Sequence, residues 1–507
     1  MKTRNMLFGA IAMILLWSCE PNEPDSIYVN TAPVIKDQSF SVEEDVSDTY
    51  IIGTVTATDE VDEDKITFSI KEDEGGLFEI TPSGDLSLLI AKTLDYDVAK
   101  QHTIIVRAFD GIVGRSAQIT INVTKPSPTI TLDLESVELY TGEMAVLTPT
   151  TTNAEELSVT WASNNETVAT VDDEGNITAL NAGTAMITAT LGNVSATTTV
   201  TVNPNVYIAG YDLSGNNDVA VLWKNGVATP LTDGSSNAQA TSVFVDKDNN
   251  VYVAGYAFIN GVRTALLWKN DNPPIVLSDG NGDGALAYSV FVNDNGITFV
   301  TGYQVGNGVR NAMLWRNQVA NVLSDGTSSA DGFEVYVDGD DVYVAGTQFL
   351  NGIKVAKLWK NDEEIDLSDG SFDAEAHSVY VNNGNVYVAG MQDFGGSKAT
   401  LWENNQATTL TNVNLGLANS VTGNGTDIYV GGTQTSSQVL VNLATLWTNG
   451  SATTFGSTSV RSVFVHGTDI YLSGYRVENG TEQATFWING EFTPLGFSGF
   501  GESIFVK

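Results

Sequence analysis

One phrase returns seven times between Val206 and Lys507, and this repeat constrains the fold more than any other feature of the 507-residue chain. Its clearest copy is SVFVDKDNNVYVAGYAFINGVRTALLWKNDNPPIVLSDG, which begins at Ser242. The second apolar run of each copy recurs at intervals of 45, 47, 44, 44, 42 and 42 residues, starting at Val206, Val251, Thr298, Val342, Val386, Ile428 and Ile470. Repeats of this length are typical of propellers and solenoids.

Each copy holds four short runs rich in Val, Tyr and Phe. Their alternation and their Asn-Gly punctuation predict antiparallel hairpins, and four strands per repeat predict a propeller blade. The first copy begins with its second strand at Val206, whereas the chain finishes on a lone first strand, Ser503 to Val506. Because that last strand can complete the first blade and leave no incomplete sheet edge, residues 205–507 are predicted to form a seven-bladed β-propeller closed by the C-terminal strand.

Two residue types recur inside the copies. One tryptophan per copy predicts packing between blades, and a row of sugar-stacking aromatics is the alternative. These are Trp223, Trp268, Trp315, Trp359, Trp402, Trp447 and Trp487. The aspartate of LTDG or LSDG is interpreted as a turn residue, with a metal or ligand contact as the alternative. This aspartate stands at Asp233, Asp279, Asp325 and Asp369.

The phrase GNVYVAG after SVYVN resembles bacterial propeller repeats related to NHL-type blades. This resemblance implies a fold more firmly than an activity.

The chain begins with basic residues followed by an apolar run, Met6 to Trp17, that is too short to span a bilayer comfortably. With Leu16-Trp17-Ser18-Cys19 it resembles a bacterial lipoprotein signal. The resemblance implies that residues 1–19 are a signal peptide, that Cys19 carries the lipid, and that acidic residues 20–29 form a tether. The expected location is the outer membrane, lipid-anchored and exposed at the cell surface.

The charge balance limits the partners. The formal net charge is −38, from 23 basic and 61 acidic side chains, so the chain does not suit a nucleic acid backbone. It favours metal cations.

Residues 30–124 contain strand-like runs such as HTIIVRAF and AQITINV between acidic or glycine-containing turns, which predicts a β-sandwich. The order of motifs resembles a cadherin repeat, through Asn30-Thr31-Ala32-Pro33, Val42-Glu43-Glu44, Ala57-Thr58-Asp59, Leu94-Asp95-Tyr96-Asp97 and Arg107-Ala108-Phe109-Asp110. The resemblance implies calcium binding, for which several oxygen donors are required, and solvated turn acids are the alternative. The implied ligands are Glu43, Glu44, Asp59, Asp62, Asp64, Asp95, Asp97 and Asp110. The family's acidic linker is replaced here by Val123-Thr124-Lys125-Pro126.

Residues 128–203 predict a second sandwich, shorter and richer in threonine and alanine. The stretch from Leu157 to Gly192 resembles the bacterial immunoglobulin-like group 2 domain, with Trp161 as the expected core aromatic. The resemblance implies a spacer that carries the propeller away from the membrane.

Catalytic motifs are lacking. His102, His377 and His466 show no metal-ligand spacing, and there is no P-loop, nucleophile elbow or dinucleotide fingerprint. His377 stands where other copies carry Thr241, Tyr288 or Phe333, and is interpreted as a tolerated variant more readily than as a catalytic base.

The segments between the second and third strands vary most, and binding in propellers usually uses the face on which they gather. Basic residues fall within them, as binding groups or as surface charges: Arg263, Arg310, Lys354, Lys398 and Arg476. The sequence therefore predicts a non-enzymatic surface lipoprotein whose propeller binds a surface protein or glycan. The alternatives are an enzyme or accessory protein acting on polysaccharide, and a scaffold in an envelope assembly.

Overall fold

The computed structural model describes residues 30–59, 65–278, 284–411, 415–435 and 441–507. The regular secondary structure of these residues is entirely β-strand, which confirms the predicted all-β class. In the same residues, no helix is long and apolar enough to cross a membrane. The described residues divide into two compact units. One comprises those of Met1–Leu134, Leu147–Ala162 and Thr188–Thr197, and the other those of Glu135–Val146, Ser163–Ile187 and Thr198–Lys507.

The first nine strands form a sandwich. They are β1 (Val34–Ile35), β2 (Gln38–Glu43), β3 (Gly53–Thr54), β4 (Ala57–Thr58), β5 (Thr67–Asp73), β6 (Phe78–Ile80), β7 (Asp85–Leu88), β8 (Gln101–Phe109) and β9 (Gly114–Thr124). The larger sheet has the order β2-β9-β8-β5 and the smaller β3-β7-β6. Alternate residues of these strands, including Leu86, Ile119 and Ile121, are fully buried in one core. The period-two alternation of the sequence thus produces the predicted sandwich.

The next nine strands belong to the immunoglobulin-like stretch. They are β10 (Thr129–Leu132), β11 (Ser136–Tyr140), β12 (Met144–Val146), β13 (Pro149–Thr152), β14 (Val159–Ser163), β15 (Ala169–Val171), β16 (Asn176–Ala179), β17 (Gly183–Leu191) and β18 (Val194–Asn203). In the first unit, β10 pairs with β13, and half-buried Trp161 packs with Ile130 and Leu191. Trp161 is therefore a core aromatic, as predicted. In the second unit, β16 lies between β12 and β15.

The described residues of the repeat region form twenty-six strands. They are β19 (Val206–Asp212), β20 (Val219–Lys224), β21 (Val227–Pro230), β22 (Ala238–Val245), β23 (Val251–Ile259), β24 (Val262–Lys269), β25 (Ile275–Val276), β26 (Ala285–Val292), β27 (Thr298–Gly306), β28 (Val309–Arg316), β29 (Val319–Val322), β30 (Ala330–Asp338), β31 (Asp341–Leu350), β32 (Ile353–Lys360), β33 (Glu363–Asp366), β34 (Ala374–Asn382), β35 (Asn385–Asp393), β36 (Ser397–Glu403), β37 (Gln406–Thr409), β38 (Gly416–Gly423), β39 (Ile428–Thr435), β40 (Asn442–Thr448), β41 (Ser451–His466), β42 (Asp469–Glu478), β43 (Thr481–Ile488) and β44 (Glu491–Val506).

These strands form antiparallel ladders with one recurring four-strand order. Four sheets are separate, namely β22–β25, β26–β29, β30–β33 and β34–β37, and we number them repeat sheets 2 to 5. The other strands form one ten-stranded ladder, β21-β20-β19-β44-β43-β42-β41-β40-β39-β38. The long strands β41 and β44 each pair with one neighbour in their first half and with another in their second half. The ladder therefore contains three more copies, which are repeat sheets 6 and 7 and, at the C-terminal half of β44, repeat sheet 1.

The C-terminal strand pairs with the beginning of the repeat region, as the sequence predicts. Val506 lies opposite Val206 in the register of β44 and β19, and the backbones of Lys507 and Asn205 exchange hydrogen bonds. The first strands of the repeat sheets contact one another in sequence order, and β44 contacts both β41 and β22.

The repeated tryptophans are at most 3% exposed, so they are core residues and not a sugar-stacking surface. Trp315 shares a core cluster with Tyr252 and Leu267 of the preceding repeat sheet, which confirms packing between sheets.

The asparagine that ends each third strand forms the predicted turn. Asn225 has φ 52°, in the left-handed region that asparagine tolerates, and its Oδ1 accepts a hydrogen bond from the Val206 amide at 2.9 Å. All seven copies repeat this contact, at Asn225, Asn270, Asn317, Asn361, Asn404, Asn449 and Asn489. The predicted Asn-Gly hairpins are confirmed, since Gly226, Gly450 and Gly490 also have positive φ.

Candidate functional site

Every repeat sheet contains a β-bulge at the same place in its first strand. In repeat sheet 2 the register passes from Ala240 to Ser242 and leaves Thr241 without a partner. A bulge bends the strand and re-aims the unpaired side chain. The residues at this position are Thr241, Tyr288, Phe333, His377, Asn419, Arg461 and Glu502, and we call them the bulge residues.

The glycine of the VYVAG phrase explains why the bulge recurs. A Cβ at Gly255 would lie 2.1 Å from the Gln239 carbonyl oxygen across the ladder, far inside van der Waals contact. A Cβ added to the corresponding glycine of any other repeat sheet would lie 1.9–2.1 Å from an opposing carbonyl oxygen. These glycines are Gly210, Gly302, Gly346, Gly390, Gly432 and Gly474. Only glycine permits this close approach of the two backbones.

All seven bulge residues line one cavity of about 570 Å³. The side chain that follows each bulge residue is serine in six of the seven sheets, whereas the bulge residues are all different. The cavity also receives Glu375, Met391 and Leu417. Residues far apart in sequence thus meet in a pocket of a size suited to a small ligand, since such pockets measure about 300–1,000 Å³.

Three groups form a charged cluster on one side of the cavity. His377 Nε2 lies 3.1 Å from Glu375 Oε2, and the Lys354 ammonium pairs with the other carboxylate oxygen. Burial acts to raise the pKa of Glu375, but the hydrogen bonds from His377 and Lys354 outweigh it and lower that pKa to about 2. Glu375 is therefore a carboxylate at neutral pH, and it orients the imidazole of His377.

Arg461 and Glu502 face the cavity from repeat sheets 7 and 1. Arg461 Nε is 3.7 Å from Glu502 Oε2, which is beyond hydrogen-bond distance, and no described residue provides an acceptor for that buried nitrogen. Burial raises the pKa of Glu502, while the charge of Arg461 opposes the rise.

Three of the other predicted basic residues contact neighbouring side chains. Arg263 stacks over Tyr256 at 4.8 Å and donates to the Tyr303 hydroxyl at 2.9 Å. Arg310 lies 3.5 Å from Asp331, and Arg476 stacks over Phe492. Lys398 is the second residue of β36, paired in register with Gln392. Lys354 forms an ion pair with Glu375, which lines the cavity.

A belt of hydrogen bonds lies next to the bulge residues. In six of the seven repeat sheets, the residue after the bulge accepts a hydrogen bond from a backbone amide of a neighbouring sheet, as Ser242 does from Val290 at 3.2 Å. Five sheets use serine for this contact, namely Ser242, Ser289, Ser378, Ser420 and Ser503. In repeat sheet 4 the acceptor is Glu334, whose Oε2 lies 2.8 Å from the Val379 amide. Burial raises the pKa of Glu334 to about 7, although its hydrogen bonds favour the charged form.

The acids of the cadherin-like stretch lie in two groups. In the first, Glu44 accepts a hydrogen bond from the Tyr96 amide at 2.7 Å, and Asp95 accepts those of Asp97 and Val98. The Lys125 ammonium lies 3.0 Å from Asp97 and 3.9 Å from Glu155. Glu43, the last residue of β2, is exposed, and Glu44 follows it in a turn. Because Lys125 brings a positive charge to these acids, this group does not fit a calcium ion.

The second group is Asn30, Asp59 and Asp110. Asp110 Oδ2 accepts a hydrogen bond from Asn30 at 2.9 Å, and Oδ1 accepts the Ile112 and Val113 amides at 2.7 Å. Burial acts to raise the pKa of Asp110, but these hydrogen bonds lower it. Among the described residues, Asn30 Oδ1 and Asp59 Oδ2 are buried without a hydrogen-bond partner, and oxygen atoms are the donors that a hard cation prefers.

Several predicted residues lie outside the described part of the chain, namely Cys19, Asp62, Asp64 and Asp279. Within the described part, no group of three or more His, Cys, Asp or Glu side chains is arranged to hold a metal. The turn interpretation of the repeat aspartates is confirmed at the other three positions, where the carboxylate accepts the amide two residues on.

Sequence reasoning missed Glu334, Glu375, Arg461 and Glu502 as candidate residues. One signal for Arg461 and Glu502 was present in the sequence. The residue before the serine of each first strand differs in every copy, whereas that serine and the glycine of the VYVAG phrase recur.

The fold and the sites define an all-β protein built from sandwich domains and a repeat region. Two of its stretches match known families, and each match covers less than half of the chain. Residues 38–124 match the family model described as Cadherin domain, and residues 127–202 match Bacterial Ig-like domain (group 2). Both resemblances drawn from the motifs are confirmed.

Solved structures similar to this chain include cadherin domains. Human Protocadherin-24 EC1-2 Form II is 15% identical, with 34% of this chain and 100% of that chain covered and a TM-score of 0.19. Drosophila N-cadherin EC1-3 is 15% identical, with 34% of this chain and 68% of that chain covered and a TM-score of 0.17. The third cadherin domain from human protocadherin 7 is 18% identical, with 21% of this chain and 95% of that chain covered and a TM-score of 0.18. These low TM-scores carry no further argument. A comparison with curated proteins found no match.

Proposed function

We propose that this chain is a non-catalytic cell-surface protein that binds a ligand in the cavity formed by the bulge residues. The observation that carries the proposal is the contrast within the repeat. Seven sheets preserve the tryptophan, the bulge and the opposing glycine, yet the side chain that the bulge directs into the cavity differs in every sheet. Packing does not require such variation, because the next residue is nearly constant. Cadherin-like and immunoglobulin-like domains suit adhesion or binding at a surface.

We infer that the seven repeat sheets are the blades of a β-propeller. Three observations support this architecture. The C-terminal strand completes repeat sheet 1, the first strands contact one another in a cyclic order, and seven bulge residues from all seven sheets line one cavity. In such a ring, the varied side chains gather at one mouth of the central channel, where propellers bind ligands.

Calcium is proposed at the second acidic group of the cadherin-like domain. The unpaired oxygens of Asn30 and Asp59, together with the Asp110 carboxylate, are the donors available there. The ion would bring these residues together and so stabilise the fold. Lys125 argues against a second ion beside Asp97.

Attachment through a lipid on Cys19 in the outer membrane remains our proposal for the location. Under this proposal the lipid anchors the chain, the two sandwiches act as a spacer, and a surface protein or glycan is the partner. The rival function is a polysaccharide-acting enzyme, for which the His377–Glu375 pair supplies an imidazole and a carboxylate in the cavity. A scaffold role is the third possibility.

The test uses the full-length chain purified in detergent and immobilised on a sensor. A panel of neutral and acidic polysaccharides and intact bacterial cells is passed over it, and the eluate is assayed for newly released reducing ends. Retention of a polysaccharide or of cells without release of reducing ends supports a binding protein. Glu375→Gln and Phe333→Ser are then expected to weaken this retention. Release of reducing ends that His377→Gln abolishes would establish the enzyme instead. Lack of retention of every polysaccharide and of cells would reject ligand binding.

A further inference from the structure

A second cavity, of about 290 Å³, adjoins the first at Arg461. It opens between strands of repeat sheets 5, 6 and 7 and shares Leu417, Asn419 and Arg461 with the larger cavity. Most of its other side chains are hydroxyls and amides, namely Ser397, Thr433, Thr435, Asn442 and Ser459. Arg461 is the charged residue of this lining, so the second cavity combines neutral hydrogen-bonding groups with one cation. We call it the Arg461 cleft.

The position of Arg461 leaves its charge available to a ligand. Its guanidinium lies over the rings of Tyr475 at 5.7 Å and Phe500 at 5.9 Å, and its side chain is 37% exposed. Glu502 Oε2 lies 3.7 Å from Arg461 Nε, beyond hydrogen-bond distance, and burial raises the pKa of this carboxyl while the charge of Arg461 opposes the rise. A ligand carboxylate would therefore supply the charge-assisted hydrogen bond that Arg461 Nε does not make with any described residue.

The neutral lining suits a sugar. The Thr433 and Ser459 hydroxyls lie 2.7 Å apart, and the Thr435 hydroxyl donates to Asn442 at 3.0 Å. Such groups both donate and accept, as sugar hydroxyls do, so a sugar ring can replace these mutual contacts without leaving polar atoms unpaired. Exposed Leu415 and Leu417, which border the cleft, provide apolar surface for the C–H groups of the ring.

We propose that the Arg461 cleft binds a uronic acid residue of a glycan, with the Arg461 guanidinium pairing with the sugar carboxylate. Asn442 and the hydroxyls of Thr433 and Thr435 hydrogen-bond the ring. The cleft volume matches one sugar ring, because it lies at the small end of ligand pockets, about 300 Å³. The adjoining cavity then receives the next residue of the chain. This inference rests on the proposed binding function and specifies its ligand.

The test uses the full-length chain in detergent and calorimetric titration. The probes are hexasaccharides of polygalacturonate, alginate and hyaluronate, each compared with its carboxyl-reduced form. At least one acidic hexasaccharide is expected to bind, and carboxyl reduction should weaken it about ten-fold or more, the effect of losing one charge-assisted hydrogen bond. Arg461→Thr, which introduces the residue found at the bulge of repeat sheet 2, should produce a similar loss and abolish the preference for the acid. Arg316→Thr, at an exposed arginine outside the cleft, is the matched control and should bind like the wild type.

Folding of each variant is checked by tryptophan fluorescence, and Asn442→Ala provides a second substitution in the cleft. Equal binding of acidic and reduced sugars, with no effect of Arg461→Thr, would overturn the inference while leaving a glycan-binding protein. Retention of cells without binding of any hexasaccharide would overturn it while leaving the proposed function. Arg461-dependent binding of a peptide with a free C-terminal carboxylate, in preference to the sugars, would also overturn it. Failure of all probes and of cells would reject both.

Discussion

Glu334 replaces a serine in the hydrogen-bonded belt, and its carboxyl predicts a specific pH dependence of stability. Its pKa is about 7 in the folded protein, against an ordinary value of 4.5, because burial disfavours the charge. The folded state therefore binds the proton more tightly than the unfolded state. The contribution of this proton to stability is complete below pH 4.5 and is lost as the pH rises to 7. The difference of about 2.5 pKa units corresponds to about 3 kcal/mol, an upper limit because Glu334 also borders a cavity.

The perturbation is Glu334→Ser, which introduces the side chain found at this position in the other six repeat sheets. Denaturant unfolding is followed by tryptophan fluorescence, since seven of the nine tryptophans belong to the repeat region. The stability of the variant relative to the wild type should increase by up to about 3 kcal/mol between pH 5 and pH 8. Glu334→Gln, which removes only the charge, should show the same trend. An equal difference at the two pH values would refute the reasoning.

Glu375→Gln is the matched control, because the pKa of Glu375 is shifted in the opposite direction, to about 2. Its charged form stabilises the folded state above pH 4.5, and this contribution disappears as the pH falls towards 2. The substitution should therefore destabilise the protein at pH 6, with a loss that shrinks below pH 4.5.

Three further results are expected. Calcium should raise the melting temperature of the wild type relative to chelator, and Asp59→Asn should abolish the rise whereas Asp97→Asn preserves it; a rise that depends on Asp97 would reverse our assignment. Trp402→Phe should destabilise the repeat region by about 1 kcal/mol more than Trp315→Phe in denaturant unfolding. The reason is that the Trp402 indole donates a hydrogen bond to a backbone oxygen at 2.9 Å, whereas the Trp315 indole donates none to any described residue. Gly255→Ala should cost about 2 kcal/mol or more, through the clash of its Cβ with the carbonyl across the ladder, and an unchanged unfolding midpoint would contradict the bulge geometry.

Local features of the sequence were sufficient for the strands and their turns. Alternation predicts the sandwich core around Ile119 and Ile121, and Asn225-Gly226 predicts a two-residue hairpin, because both depend on residues close in the chain. The pairing of Val506 with Val206 was also predictable, since an unmatched first strand at one end of the chain fits an unmatched second strand at the other.

The candidate site was less accessible to this reasoning. Basic residues predicted to lie between strands were interpreted as binding groups or as surface charges, but two of them, Arg310 and Lys354, lie within strands and beside carboxylates of the next repeat sheet. Those carboxylates, Asp331 and Glu375, are 21 residues further along in each case. A count of charges in one loop does not include partners contributed by another strand.

The sequence by itself determined the all-β class, the sandwich families and the seven-fold repeat, because periodicity, turn residues and family motifs are properties of short stretches. Only the tertiary structure decided which side chains share a site. Arg461 and Glu502 line the same cavity as His377, and Lys125 pairs with Asp97, although the residues brought together in this way lie 28 to 125 positions apart in the chain. Such contacts depend on backbone geometry across a sheet and between sheets, and the one-dimensional pattern does not contain that information.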